Sequence, residues 1–135
     1  MRIALITFFQ PAFIRGPGII DQLVAAATES GNDVTVIDGT ASGCMAALAT
    51  YEYLAIAAVP RGAFGGLTDR VKEFLRSSGS VSGRRGCALI CGGLFFRQKT
   101  CTKLMRVLEG EGMMLDYFEV LDNHQQARLA GAKLG

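Results

Sequence analysis

The sequence predicts a three-layer α/β domain in which helices cover both faces of a five-stranded parallel sheet. Short apolar runs without polar alternation recur along the chain, which is typical of strands that are covered on both faces. Segments of helical periodicity separate these runs, and this alternation requires right-handed parallel crossovers. At 135 residues the chain has the usual size of one domain, so we expect residues 1–135 to form a single unit.

The predicted strands are apolar or β-branched runs that stop at turn residues. The second strand reads Asp-Val-Thr-Val-Ile-Asp and stops at Gly39, and the third stops at Pro60, which cannot donate a hydrogen bond to a sheet. The five predicted strands cover residues 2–7, 33–38, 53–59, 86–91 and 117–121.

The segments between the strands carry apolar residues at helical spacing. In the third of them, Val71, Phe74 and Leu75 share one face. Gly31 and Gly110 follow such segments and predict where two helices end. The predicted helices cover residues 19–27, 44–49, 67–76, 99–109 and, after a cap at Asn123 or Asp122, a final helix that carries Ala127, Leu129, Ala130 and Leu134.

Composition and charge argue against several functional classes. The net charge is only +2 and the basic residues are scattered along the sequence, so we expect no nucleic-acid partner. The longest apolar runs have the length of a strand, so we expect no membrane span. Because a strand begins at residue 2, we expect no export signal and a cytoplasmic location.

The four cysteines predict neither disulfides nor a metal site. In the cytoplasm Cys44, Cys87, Cys91 and Cys101 are expected to be reduced thiols. They form no C-x-x-C pair, and His124 is the only histidine, so no zinc site is expected. Cys87 and Cys91 lie four apart on a strand and are expected to pack in the core. We expect His124 to be a surface or capping residue rather than a general base.

The ligand crevice is expected at one edge of the sheet. In a doubly wound sheet, ligands bind beyond the carboxyl ends of the strands, where the strand order reverses. Three predicted loops meet there, at residues 8–18, 60–66 and 92–98. Glycines cluster in the second and third loops, which favours close approach of the backbone to a ligand.

Cys91 and Arg97 also suggest a rival enzyme. They form a C-x5-R element between a strand and a helix, the arrangement of phosphatases that attack through a thiolate. A phosphate cradle needs small residues that present donors, whereas Leu94, Phe95 and Phe96 are bulky. We therefore rank the phosphatase below a ligand-binding function.

From residue 51 onward the chain resembles flavodoxins and the related NAD(P)H-dependent FMN reductases in consecutive pieces. Tyr53-Leu-Ala-Ile-Ala-Ala-Val-Pro60 is similar to their third strand, and Arg61-Gly-Ala-Phe-Gly-Gly66 with Lys72-Glu-Phe-Leu75 to their flavin loop and the helix after it. Residues 83–93 resemble their fourth strand and its loop. Gly112-Met113 and residues 127–134 resemble the Gly-Met pair and the closing helix. The resemblance implies a flavodoxin-like sandwich with strand order 2-1-3-4-5.

The resemblance also implies an FMN cofactor held by the three loops, with no catalytic side chain. Arg15 could pair with the phosphate at the start of the first helix. Phe64 and Phe95 lie in the two loops that flank the isoalloxazine in this family, where they either stack on the flavin or cover the sheet edge or a dimer contact. The residues expected to bind the flavin are Thr7, Phe9, Arg15, Gly16, Gly18, Pro60, Arg61, Gly62, Phe64, Gly65, Cys91, Gly92, Gly93, Leu94 and Phe95.

Two functions of different classes follow. The first is electron transfer or a small flavin reductase that takes electrons from NAD(P)H, with a redox partner protein or a homodimer left open. The alternative is a degenerate flavodoxin-like domain without FMN that acts as a binding or regulatory module. Its support is a first loop, residues 7–18, nearly without hydroxyls, and Ala58-Val59 where the family has Gly-Ser/Thr. In that case Phe8, Phe9, Phe13 and Ile14 would form an exposed partner surface.

Overall fold

A five-stranded parallel sheet in the order β2-β1-β3-β4-β5 forms the centre of the protein, as described by a computed structural model. The structure describes residues 1–8, 16–39, 48–58, 67–77, 81–91, 97–121 and 123–134. Its strands are β1 Arg2–Phe8, β2 Asp33–Asp38, β3 Tyr53–Ala58, β4 Arg85–Cys91 and β5 Met114–Leu121. Its helices are α1 Gly16–Glu29, α2 Leu67–Ser77, α3 Arg97–Gly110 and α4 His124–Lys133, with a short 3₁₀ helix at Leu48–Thr50. The predicted fold class and strand order are confirmed.

The three central strands are buried on both faces, which explains their unbroken apolar runs. In β1, Ala4 and Ile6 belong to the core cluster that includes Phe74 of α2, whereas Ile3 and Leu5 belong to the cluster under α1 and α4. All of these strand residues are fully buried. Burial of a large aliphatic side chain contributes about 1.5–3 kcal/mol, so the two clusters supply much of the favourable free energy of folding.

The edge strand β5 begins at Met114, three residues before the predicted start. Gly86 pairs with Leu115 and Cys87 with Tyr117, so Asp116 is an extra residue in β5, a β-bulge. The bulge interrupts the alternation of side chains between the two faces. The strand pattern in the sequence is therefore clear only after the bulge.

The start of α1 differs from the prediction, and the start of α4 decides between the two predicted caps. α1 begins at Gly16 rather than at residue 19. Pro17 does not prevent this earlier start, because the amide groups of a first turn have no partner within the helix and the missing N–H of proline is not needed there. Asn123 caps α4, and its side chain accepts a hydrogen bond from the Gln126 amide at 2.9 Å. Most of the helix predicted at residues 44–49 lies outside the described residues.

α4 lies very close to α1. A Cβ atom on Gly131 would be 2.5 Å from the carbonyl oxygen of Leu23 and 2.8 Å from the Cβ atom of Ala26. The glycine therefore allows the two helices to approach, while Leu129 on the outer side of α4 is 59% exposed.

Within the described ranges no helix is both long and apolar enough to cross a bilayer.

Candidate functional site

Three strands end side by side where the strand order reverses. Phe8, the last residue of β1, pairs with Ala58, the last residue of β3, and Ala58 pairs with Ile90 of β4. The order reverses between β1 and β3, since β2 lies on the other side of β1. The three connections predicted to form the crevice thus leave from adjacent strand ends.

Phe8 forms part of the core beneath this edge of the sheet. It is 3% exposed, and its ring meets that of Phe74 edge to face, with centroids 5.7 Å apart and planes at 87°. The same ring fills the space beside Gly39, where a Cβ atom would lie 2.5 Å from it. The expectation that Phe8 is exposed was wrong: β1 is one residue longer than predicted, and Phe8 points into the α2 layer.

The first turn of α1 lies at the same edge of the sheet. It contains Gly16, Pro17 and Gly18 and no acidic residue, so its partial positive charge is not neutralised from within the turn. His124 begins α4 beside it, with Nε2 3.0 Å and Cε1 3.5 Å from the position of a Cβ atom on Gly18. The sequence gives no signal for this contact, because it joins residues from the two ends of the chain.

Two further residues predicted to bind the flavin lie at strand ends. Thr7 is 8% exposed, and its Oγ1 donates a long hydrogen bond of 3.5 Å to the Ile37 carbonyl. Cys91 is fully buried, with its side chain in the cluster under α1 and α4. Any contact of these two residues with a ligand would therefore come mainly from the backbone.

Burial makes Cys87 and Cys91 poorly suited to act as thiolate nucleophiles. Burial raises the pKa of Cys91 to about 12, and burial likewise raises the pKa of Cys87 to about 12. A phosphatase needs a thiolate near neutral pH, so Cys91 lacks the property that a C-x5-R enzyme requires. Cys87, Cys91 and Cys101 are free, buried thiols. The expectation that the first two pack in the core is confirmed.

Eleven of the residues predicted to bind the flavin lie outside the described residues, and their roles stay predictions. The eleven residues are Phe9, Arg15, Pro60, Arg61, Gly62, Phe64, Gly65, Gly92, Gly93, Leu94 and Phe95.

Within the described ranges, no group of three His, Cys, Asp or Glu side chains could hold a metal ion.

A polar cluster lies at the amino end of the sheet, opposite the crevice. The Tyr53 hydroxyl donates to Oδ1 of Asp116 at 2.5 Å, and the Arg85 guanidinium pairs with Oδ2 at 2.8 Å. Burial raises the pKa of Tyr53, and the hydrogen bond to Asp116 adds to this. The cluster joins β3, β4 and the bulge in β5, which indicates a structural role.

The exposed side of α3 carries a row of basic residues. Lys99, Lys103 and Arg106 are exposed and line one shallow groove together with Thr102. Spacings of four and three residues bring side chains to one helix face, although the residues are separated in the sequence. Basic residues that are scattered in the sequence therefore form a row on this helix.

Solved structures match this fold over nearly the whole chain, although no protein-family model and no curated protein matches the sequence. A flavodoxin from the domain Archaea aligns with a TM-score of 0.71 and 15% identity, covering 98% of this chain and 94% of that one. Oxidised flavodoxin 1 of Bacillus cereus gives 0.73 and 14%, with coverages of 98% and 95%. The NAD(P)H:quinone oxidoreductase of Methanothermobacter marburgensis gives 0.70 and 12%, covering 98% of each chain. These alignments support the flavodoxin-like α/β fold of this chain.

Proposed function

We propose, starting from the flavodoxin-like fold of this chain, that it binds FMN and acts in electron transfer or as a small flavin reductase. The observation that carries the proposal is the position of the first turn of α1 next to the adjacent ends of β1, β3 and β4. In an open α/β sheet this is the place where a nucleotide binds. Support also comes from the aligned structures, which are flavodoxins and an NAD(P)H:quinone oxidoreductase.

The described residues at this edge are compatible with a flavin phosphate. The first turn of α1 offers the amide groups of Gly16, Gly18 and Ile19, and it carries no carboxylate that would repel an anion. Pro17 lacks an amide hydrogen, which reduces the donors by one. We assign Arg15 as the charged partner of the phosphate, since it directly precedes this turn.

Small side chains end β3 at this edge of the sheet. Ala57 and Ala58 end β3 and are small and fully buried. Loop backbone at the ends of β3 and β4 would hold the isoalloxazine, with Phe64 and Phe95 stacking on it. FMN, when bound, supplies the electron-transfer chemistry, whereas the protein orients it and excludes water from one side.

The experiment that tests the proposal is a pair of titrations. Purified protein is examined for the yellow colour of a flavoprotein, and the protein without ligand is titrated with FMN and with riboflavin. We expect FMN to bind with a Kd below about 10 μM, more tightly than riboflavin, because only FMN carries the phosphate. Absence of colour together with no FMN binding at that concentration would overturn the proposal and leave a binding module without FMN.

The assignment of Arg15 has its own matched control. Arg15→Ala removes a charge beside the first turn of α1, whereas Arg2→Ala removes one at the amino end of β1, where Arg2 lies over the ring of Tyr51. Loss of a charged hydrogen bond corresponds to roughly a 10- to 100-fold weakening, so Arg15→Ala should weaken FMN by about that factor. Riboflavin should be unaffected, and Arg2→Ala should change neither ligand. Equal weakening of FMN and riboflavin would refute the assignment.

A further inference from the structure

The outward face of α3 is a concentrated site of positive charge. We define the basic face of α3 as Lys99, Lys103 and Arg106, all of which are exposed. The opposite side of the helix is apolar, and its residues Leu104 and Leu108 are fully buried against the sheet. The helix therefore has an anchored apolar face and an exposed charged face.

The charge of this helix exceeds that of the whole protein. α3 contains four basic residues and one acidic residue, a net charge of +3, whereas the complete chain has a net charge of +2. The β2 side of the sheet is negatively charged, since α1 and β2 contain four carboxylates and no basic residue. A charge separation of this kind orients the protein as it approaches a charged partner.

The side chains of Lys103 and Arg106 are exposed and do not hold the described part of the fold together through ion pairs. No described carboxylate forms an ion pair with Lys103 or Arg106, while the ion pairs of Arg76, Arg85 and Arg128 lie elsewhere. The charges therefore act mainly through the solvent, over a range of about 10 Å at an ionic strength of 0.1 M.

The spacing of the charges favours an extended acidic surface over a small phosphate. Lys99 and Arg106 are seven residues apart, which is about 10 Å along a helix axis. A single phosphate is bound by donors that converge on one point, whereas these three side chains are distributed along the helix. Peripheral membrane helices bury an apolar face in the lipid, but the apolar side of α3 is already covered by the sheet.

The position of the basic face connects it with the proposed function. α3 begins after β4, at the sheet edge that carries the candidate flavin crevice, and Lys99 lies in its first turn. We propose that the basic face of α3 is the docking surface for an acidic redox protein, which it holds beside the flavin. This inference rests on the proposed function, because the flavin is what gives such a partner a reason to dock there.

The test measures binding of an acidic probe to the full-length protein. The probe is a fluorescein-labelled peptide with glutamate at every second position, and anisotropy is followed at about 20 mM and about 150 mM salt. The variant Lys103→Gln/Arg106→Gln removes two charges from the basic face. Its matched control, Arg128→Gln/Lys133→Gln, removes two charges from α4 in the opposite layer.

We expect the peptide to bind at low salt and to dissociate as salt rises. The Lys103→Gln/Arg106→Gln variant should bind roughly 3- to 10-fold more weakly, and the control should stay within about twofold of the unmodified protein. No binding at low salt, or equal losses in both variants, would overturn the inference. Tighter binding of a DNA duplex or of vesicles that contain phosphatidylserine would assign the face to another class of partner and would also overturn it.

Two further measurements separate this inference from its premise. Sedimentation of the protein alone tests whether the partner is a second copy, and self-association that the Lys103→Gln/Arg106→Gln variant abolishes would contradict an acidic redox partner. FMN titration of the same samples tests the premise. If FMN binds but the peptide result fails, only the docking surface is wrong. If the peptide binds as expected but FMN does not, the redox assignment of the partner is wrong.

Discussion

The imidazole of His124 lies against the first turn of α1, with Nε2 3.0 Å from the position that a Cβ atom on Gly18 would occupy. This contact joins the start of α4 to the start of α1 at the edge of the sheet where FMN is proposed to bind. It fills the space beside Gly18 with the end of an exposed side chain, which can move, rather than with backbone, which cannot.

Gly18→Ala should therefore be tolerated. Alanine is favoured over glycine in a helix by about 1 kcal/mol, and a small displacement of the His124 ring offsets part of this gain. We expect a free energy of unfolding equal to that of the unmodified protein or up to about 1 kcal/mol higher, measured by urea denaturation. In the His124→Ala background the full gain should appear. A loss above about 1 kcal/mol that His124→Ala does not relieve would show that Gly18 contacts something other than this ring.

Gly131→Ala should destabilise the protein. Its Cβ atom would lie 2.5 Å from the carbonyl oxygen of Leu23, so α4 has to move away from α1. Overpacking of this kind costs about 1–3 kcal/mol. Gly110→Ala is the matched control, because nothing lies within 4 Å of its Cβ position at the end of α3. Equal unfolding free energies for the two variants would contradict the close approach of α1 and α4.

Phe8→Ala should cost about 3–5 kcal/mol of unfolding free energy, because the ring is buried against Phe74. Phe118→Ala, at a position that is 55% exposed on β5, should cost less than about 1 kcal/mol. If Phe8→Ala does not fold, Phe8→Leu should fold with a smaller loss. If Phe8→Ala is as stable as Phe118→Ala, Phe8 is exposed rather than buried, which would support the binding-module alternative.

The stability of the protein should fall at alkaline pH. Burial raises the pKa of Cys87 and of Cys91 from 9.0 to about 12, so the folded chain keeps protons that the unfolded chain loses. The free energy of unfolding therefore decreases as pH rises from about 9 towards about 12, by at most about 1.4 kcal/mol per pH unit for each group. Tyr53, whose pKa burial also raises, adds to the decrease above its ordinary value of 10.0.

Cys91→Ala tests the contribution of one such group. Urea unfolding between pH values of about 8 and 10 should show a shallower decrease than in the unmodified protein, because one buried titrating group is gone. Leu89→Val, at a fully buried site in the same cluster, lowers stability without removing a titrating group and should keep the original slope. An unchanged slope in Cys91→Ala would be inconsistent with a raised pKa at this residue.

The fold was predictable from the sequence because its elements are locally encoded. β2 has the predicted bounds, since its β-branched residues are flanked by Asn32 and Gly39, which do not favour a strand. The start of β5 was not predictable, because the bulge at Asp116 depends on pairing with β4 and on the contacts of Asp116 with Tyr53 and Arg85.

The candidate site was predictable only in part. The positions of the three strand ends follow from the topology, so the place where a ligand crevice is expected could be derived from the sequence. The contact between His124 and Gly18 depends on how α4 packs on α1, which no local pattern indicates. The basic face of α3 could be found from spacing alone, once Lys99, Lys103 and Arg106 are placed on one helix.

FMN is proposed to bind at the ends of β1, β3 and β4, and the most direct test is an FMN titration of the ligand-free protein followed by flavin fluorescence and visible absorbance. We expect one FMN per chain, a Kd below about 10 μM, and weaker binding of riboflavin. No change in either signal up to that concentration, from protein shown to be folded by its urea transition, would contradict it.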